Sequence, residues 1–200
     1  MKVFATDEHR LDDEYSSIAS LVDVKNDLPS QVFVPGFSNF TFINFDDIFT
    51  GNFYEKISGF QRQINDDELT VFMLKPDPRL YFYHHFGNYP LMKFPASSSN
   101  KEYISALFAD PGGSPADAVV YNSSVLLFYS TSLRWVIYGS RDFEVAIFAS
   151  KDKILVDKFQ RIYDKTFDVK SAIQNILEPA WVDQFPAEFR MQLLENYTSI

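Results

Sequence analysis

Three β-prone runs, Ser124–Ser130, Arg134–Tyr138 and Phe143–Phe148, follow one another with only short turn-forming stretches around Ser130-Thr131-Ser132 and Gly139-Ser140-Arg141-Asp142 between them. This spacing fits an antiparallel meander and constrains the fold more than any other feature of the chain. The unbroken apolar character of Val125–Tyr129 predicts a central strand covered on both sides. After Ser150 the period changes to a helical one: Leu155, Phe159 and Ile162 share a face, then Ile173, Ile176 and Leu177, then Phe189, Leu193 and Tyr197 after Pro186. Strands gathered in the middle with helices at both ends argue for an α+β fold and against an alternating α/β one. The expectation is a mainly antiparallel sheet of about five or six strands, with helices packed on one face and a helical C-terminal third.

The remaining segments fill in this plan. Residues 1–30 are polar and acidic and predict a short helix around Leu11–Leu21; Gln31–Pro35 reads as a short strand. Phe45, Phe49, Phe53, Ile57, Phe60 and Ile64 recur as one stripe of a helix, which core packing explains. Gly51 and Gly59 each cost that helix about 1 kcal/mol, so a break is expected within it. Asn65-Asp66-Asp67-Glu68 reads as a polar turn, Leu69–Leu74 as a strand, and Leu80–Phe86 as a second strand pairing antiparallel with it. Residues 97–109 predict a helix capped by one of Ser97–Ser99, and Asp110-Pro111-Gly112-Gly113-Ser114-Pro115 a loop. No stretch divides the chain, so residues 1–200 are expected to form one domain, with 1–30 an acidic N-terminal segment and 151–200 a helical C-terminal one.

Composition excludes several chemistries. The absence of Cys removes disulfides, thiolate nucleophiles and thiolate zinc sites. The N-terminus turns acidic at once without an apolar leader, and no long apolar run is present, so a soluble, cytoplasmic protein away from membranes is expected. With 21 Phe, 11 Tyr and 2 Trp, the chain holds more aromatics than a core of its class needs, and partner interfaces are the other place where such residues collect. The net charge of −9 is concentrated: the first 70 residues hold 13 of the 27 carboxylates but only five of the 18 cations. That asymmetry disfavours nucleic acid and suits a basic protein partner, although an acidic face can also serve solubility alone.

Motifs for catalysis are sparse. His84 and His85, read as neighbours on a strand, point to opposite faces and cannot easily share a metal, so no metal or cofactor is expected. Asp142 and Glu144 are the best carboxylate pair: on one strand they would share a face about 7 Å apart, a spacing at which acid and base roles can be divided. With His85 they are the weak catalytic candidates for a small hydrolase or transferase. The plainer reading makes them a turn residue and a solvated strand residue beside Arg141 or Arg134. The Gly112-Gly113 loop lacks the ending of a phosphate cradle, the serine clusters lack a nucleophile elbow, and the lysines and arginines of 151–170 alternate with aspartates.

Within Leu133–Phe148, a Trp-bearing strand (Trp135) leads through a turn with Arg141 and Asp142 to a strand with Glu144 and aliphatic residues. This pattern resembles that of bacterial immunity-type proteins. The resemblance implies a protein that neutralises a toxin by binding it, without catalysis. Taken with the charge map, it places the expected contact residues at Asp46, Asp47, Asp66, Asp67, Glu68, Trp135 and Arg141, with a basic toxin as the expected partner. Oligomeric state is left open.

Overall fold

The computed structural model describes residues 3–181 and 185–199. The chain runs α1 (Glu8–Ala19), β1 (Asn39–Asn44), a 3-10 turn (Asp46–Phe49), α2 (Gly51–Ile64), β2 (Glu68–Lys75), a wide π turn (Pro78–Tyr83) continuing into α3 (His84–Phe86), and β3 (Leu91–Pro95). It continues with α4 (Asn100–Leu107), α5 (Val119–Asn122), β4 (Val125–Ser130), β5 (Trp135–Ser140), β6 (Val145–Ser150) and α6 (Lys153–Ile162). The C-terminal part holds α7 (Val169–Ala172), a π turn (Ile173–Leu177), α8 (Glu178–Ala180) and α9 (Ala187–Tyr197).

The strands form one antiparallel six-stranded sheet in the order β1-β6-β5-β4-β2-β3. The α+β class, the meander β4–β5–β6 and the helical C-terminal region are as the sequence predicts. Helices cover both faces, however, where packing on one face was expected. The strand residues show why: all of β4, β5 and β6 is buried, and successive residues alternate between two cores. Phe72, Leu127, Tyr129, Val136, Tyr138 and Ile147 pack under α1, α7 and α9. Val71, Phe128, Trp135, Ile137 and Phe148 pack under α2, α4 and α6. A sheet apolar on both faces must be sandwiched between layers.

Local signals set the helix boundaries. Thr50 breaks the Phe-rich stripe: its hydroxyl accepts the Phe53 N–H at 3.1 Å and starts α2 afresh, and Asn65, in the left-handed region at φ 56°, ends it. Ser99 and Glu102 close a reciprocal capping box at the start of α4. The stripe is core as expected, with the Phe60 ring edge-on to Trp135, Phe148 and Phe159 at centroid distances of 5.6, 5.5 and 5.7 Å.

Two strand expectations are corrected. Leu80–Phe86 is helical, because Asp77 accepts the N–H groups of Arg79 (2.8 Å) and Leu80 (2.7 Å) and Pro78 occupies the first turn. The antiparallel partner of β2 on that side is β3, which begins just after Pro90. Gln31–Pro35 makes a single bridge, Val22 to Phe33, and forms no ladder.

The sheet has two dissimilar ends. The β5–β6 turn (residues 141–144), the β1–α2 connection and the long segments 76–90 and 109–124 meet at one end, here the loop end. The opposite end carries the β4–β5 turn and the α2–β2 turn.

Candidate interaction surface

At the loop end, Arg141 ties three chain segments together. Its Nε donates to the Ser123 carbonyl and its Nη2 to the Val120 carbonyl, both at 2.6 Å, holding α5. The guanidinium lies over the rings of Phe45 (5.0 Å) and Phe49 (5.7 Å), from the β1–α2 connection. Burial draws its pKa below the usual arginine value, while nearby Asp46 and Asp142 pull the other way. Arg141 is thus a half-buried brace whose Nε and Nη2 are engaged within the chain.

Residues 76–90 and 108–124 also carry apolar and aromatic side chains that the core does not cover. Leu80 is 81% exposed, Tyr121 60%, Tyr83 45% and Phe108 42%. Their positions are set by neighbours: Phe108 meets Tyr121 edge-on at 5.7 Å, Tyr83 stacks on buried Tyr89 at 4.6 Å, and Tyr81 packs against His85 at 4.8 Å. Asn122 donates to the Tyr81 hydroxyl (3.3 Å), and Asn88 donates to the Pro111 carbonyl (2.8 Å), which joins segments 76–90 and 109–124. Within segment 109–124, Asp110 accepts the N–H groups of Gly112 and Gly113 at 2.8 and 3.0 Å. Gly113 has no room for a side chain, since a Cβ would meet the Phe86 ring and the Asp117 carboxylate at 2.9 Å. The segments here also carry Asp46, Asp77, Asp110, Asp117, Asp142 and Glu144; of their two arginines, Arg141 is engaged as described and Arg79 pairs with Asp12.

The contact residues expected from sequence do not form one surface. Asp66 is only 4% exposed. One of its oxygens accepts from Ser130 (2.6 Å), Ser132 (3.0 Å) and the Trp135 indole N–H (2.8 Å), and the other from Arg134 (2.9 Å). Burial pushes its pKa upward, but these four donors outweigh burial and hold it below the ordinary carboxylate range. Trp135 has no exposed area and stacks on Phe148. Asp66 and Trp135 therefore staple the opposite end of the sheet and face no partner. Asp67, exposed, and Glu68, half-buried and 3.6 Å from Lys93, stand at that same end. Asp46 and Asp47 lie beyond the other terminus of α2, about 21 Å away by helical rise. Asp46 is exposed near Arg141, while Asp47 accepts from the Tyr163 hydroxyl (2.9 Å) and lies 3.6 Å from Lys165.

The carboxylate pair is also corrected. β6 begins at Val145, so Asp142 and Glu144 belong to the turn, and Glu144 has φ 52°. They share no strand face, and both are exposed, so the strand-spacing argument for divided acid and base roles has no basis here. His84 and His85 are exposed neighbours on a helical turn, with ring centroids 5.3 Å apart. Among the described residues no hydrogen bond joins His85 to Asp142 or Glu144, and no group of three His, Asp or Glu is placed to hold a metal. No helix among them is long and apolar enough to cross a membrane. Sequence reading places Leu80 and Tyr83 in an expected strand and Phe108 on the apolar face of the expected helix 97–109, so it does not bring the set together; the Asp77-Pro78 start signal is the clue to the helical course of the first two. No family model, curated protein or solved structure matches the chain.

Proposed function

We propose that this chain is a protein-binding module that contacts its partner through the loop end, most concretely an immunity protein that occludes a basic toxin. The observation that supports it is the exposure of Leu80, Tyr121, Tyr83 and Phe108 on segments held in place by packing and hydrogen bonds, within a field of carboxylates. Exposed apolar side chains that are already ordered lose little freedom on association, and aromatic anchors carry much of the energy of such interfaces. The carboxylates Asp46, Asp77, Asp110, Asp117, Asp142 and Glu144 suit a partner with an apolar centre and a basic rim, whose encounter rate they raise. In this reading Asp46 remains a contact residue, and Arg141 acts by fixing the segments beside it.

The test is an affinity pull-down from native lysate with wild type and a Leu80→Asp/Tyr121→Asp double variant, at low and high salt. A stoichiometric partner retained by wild type, lost by the double variant and weakened by salt is the expected result. A partner retained equally by the variant removes the loop end from the interface.

A further inference from the structure

A second surface lies on the free edge of the sheet. In the β2–β3 pair, Met73 N–H bonds to the Pro90 carbonyl and Ala96 N–H to the Asp67 carbonyl. The alternation of an antiparallel ladder then turns the backbone groups of residues 90, 92, 94 and 96 toward β2, and those of Leu91, Lys93 and Pro95 outward. Pro95 lacks an N–H, and its carbonyl already accepts from Ser98 N–H (2.8 Å) and the Tyr54 hydroxyl (3.3 Å). The Leu91 N–H turns back to the Tyr89 carbonyl. The Leu91 carbonyl and both backbone groups of Lys93 have no bond to any other described residue.

These open groups border a groove of about 490 Å³, lined by residues 3–7 and Arg10, by Ser98, and by Glu102, Ser105 and Ala106 of α4. Residues 3–7 make one antiparallel bridge, Ala5 to Tyr89, just before β3 begins, and no described bridge to β3 itself; the side chains of Leu91, Met92 and Phe94 are buried, Lys93 is half-buried and Pro95 exposed. The Lys93 ammonium is engaged by Glu14 and lies 3.6 Å from Glu68, so what Lys93 offers the groove is chiefly its peptide group.

We infer that this groove takes a short extended segment of a partner polypeptide, which adds antiparallel to β3 through the Lys93 N–H and C=O and sets apolar side chains against Phe4, Phe94 and Ala106. Unpaired strand groups are matched by another strand, and the volume is that of a few residues. Edge-to-edge pairing with a second copy is opposed by Pro90 and Pro95 at either end and by the residues that line the groove. This inference stands on the β3 edge and does not need the loop-end surface.

The experiment selects binders from a display library of random linear peptides on immobilised full chain and measures them against four variants. Lys93→Pro removes the outward N–H without touching the β2 ladder, and Ser105→Trp fills the groove from α4. Lys93→Met keeps the N–H while removing the ammonium, and Leu80→Asp/Tyr121→Asp alters only the loop end. Selected peptides with alternating apolar residues should lose about tenfold in affinity with Lys93→Pro and Ser105→Trp, bind Lys93→Met more tightly than Lys93→Pro, and bind the loop-end variant as wild type. Affinity unchanged by Lys93→Pro, loss only with the loop-end variant, or failure to select any peptide would overturn the inference. So would self-association in sedimentation that Ser105→Trp abolishes, since the occupant is then a second copy.

Discussion

The Trp135 indole N–H is bonded to the Asp66 carboxylate at 2.8 Å across 69 residues of sequence, inside a knot that also holds Ser130, Ser132 and Arg134. The α2–β2 turn and the β4–β5 turn are joined through one buried carboxylate. Asp66→Ala leaves an indole and two hydroxyls without their acceptor, and a loss of about 3 kcal/mol in unfolding free energy is expected. Urea denaturation of wild type and variant measures it; a loss below about 1 kcal/mol would mean water replaces the carboxylate.

Acid stability should carry the mark of the same residue. Its pKa is lower in the folded chain than in the unfolded one, so its stabilisation is fully present above the ordinary carboxylate range. That contribution is lost as pH falls through the depressed folded value. Comparing denaturation midpoints from neutral pH downward, Asp66→Asn should show a shallower acid limb than wild type, because the variant has no proton to take up there.

At the loop end, Arg141→Lys is expected to behave almost like Arg141→Ala. An ammonium cannot reach the Ser123 and Val120 carbonyls together while lying flat on Phe45. Both variants should lose about 2 kcal/mol, and amide exchange should rise selectively in residues 119–124. Rescue by lysine would show that only the charge matters.

Gly139 on β5 makes room for that arrangement. A Cβ there would meet the Phe45 ring at 3.0 Å and the Ile48 Cδ1 at 3.3 Å. Gly139→Ala should therefore destabilise by about 1–3 kcal/mol and also raise amide exchange around Val120, because Phe45 carries the Arg141 guanidinium. Thermal unfolding together with exchange mass spectrometry reads both effects.

Leu80→Asp and Tyr121→Asp should leave the unfolding free energy within about 0.5 kcal/mol of wild type, as expected where little packing is lost. Circular dichroism melts check this, and a large loss would mean that these side chains serve the fold.

The meander was legible because β4, β5 and β6 are nearly uninterrupted β-prone runs whose turns are too short for other connections. The helices on both faces are implied by the same runs, since Val125–Tyr129 needs two covers, and the burial of all of β5 and β6 extends that requirement to the neighbouring strands. Tyr81, Phe82 and Tyr83 were misread because aromatics favour strands, whereas a capping aspartate followed by proline decides the matter locally. Asp66 was misread for a different reason. Within Asn65–Glu68 it looks like its neighbours, and only the arrival of Ser130, Arg134 and Trp135 from distant sequence makes it a buried acceptor. The contact surface was the least legible part, because exposure of an aromatic depends on what fails to cover it.

Arg141 reaches carbonyls and aromatic faces, and no carboxylate is bonded to its guanidinium among the described residues. Peptide oxygens do not titrate, and dissolved ions do not compete for them as they do for an exposed ion pair. The hold of Arg141 on α5 and on the β1–α2 connection is therefore independent of the charge around it. Changing salt or pH alters how strongly a charged visitor is drawn there, while the part of the relief that Arg141 fixes stays the same.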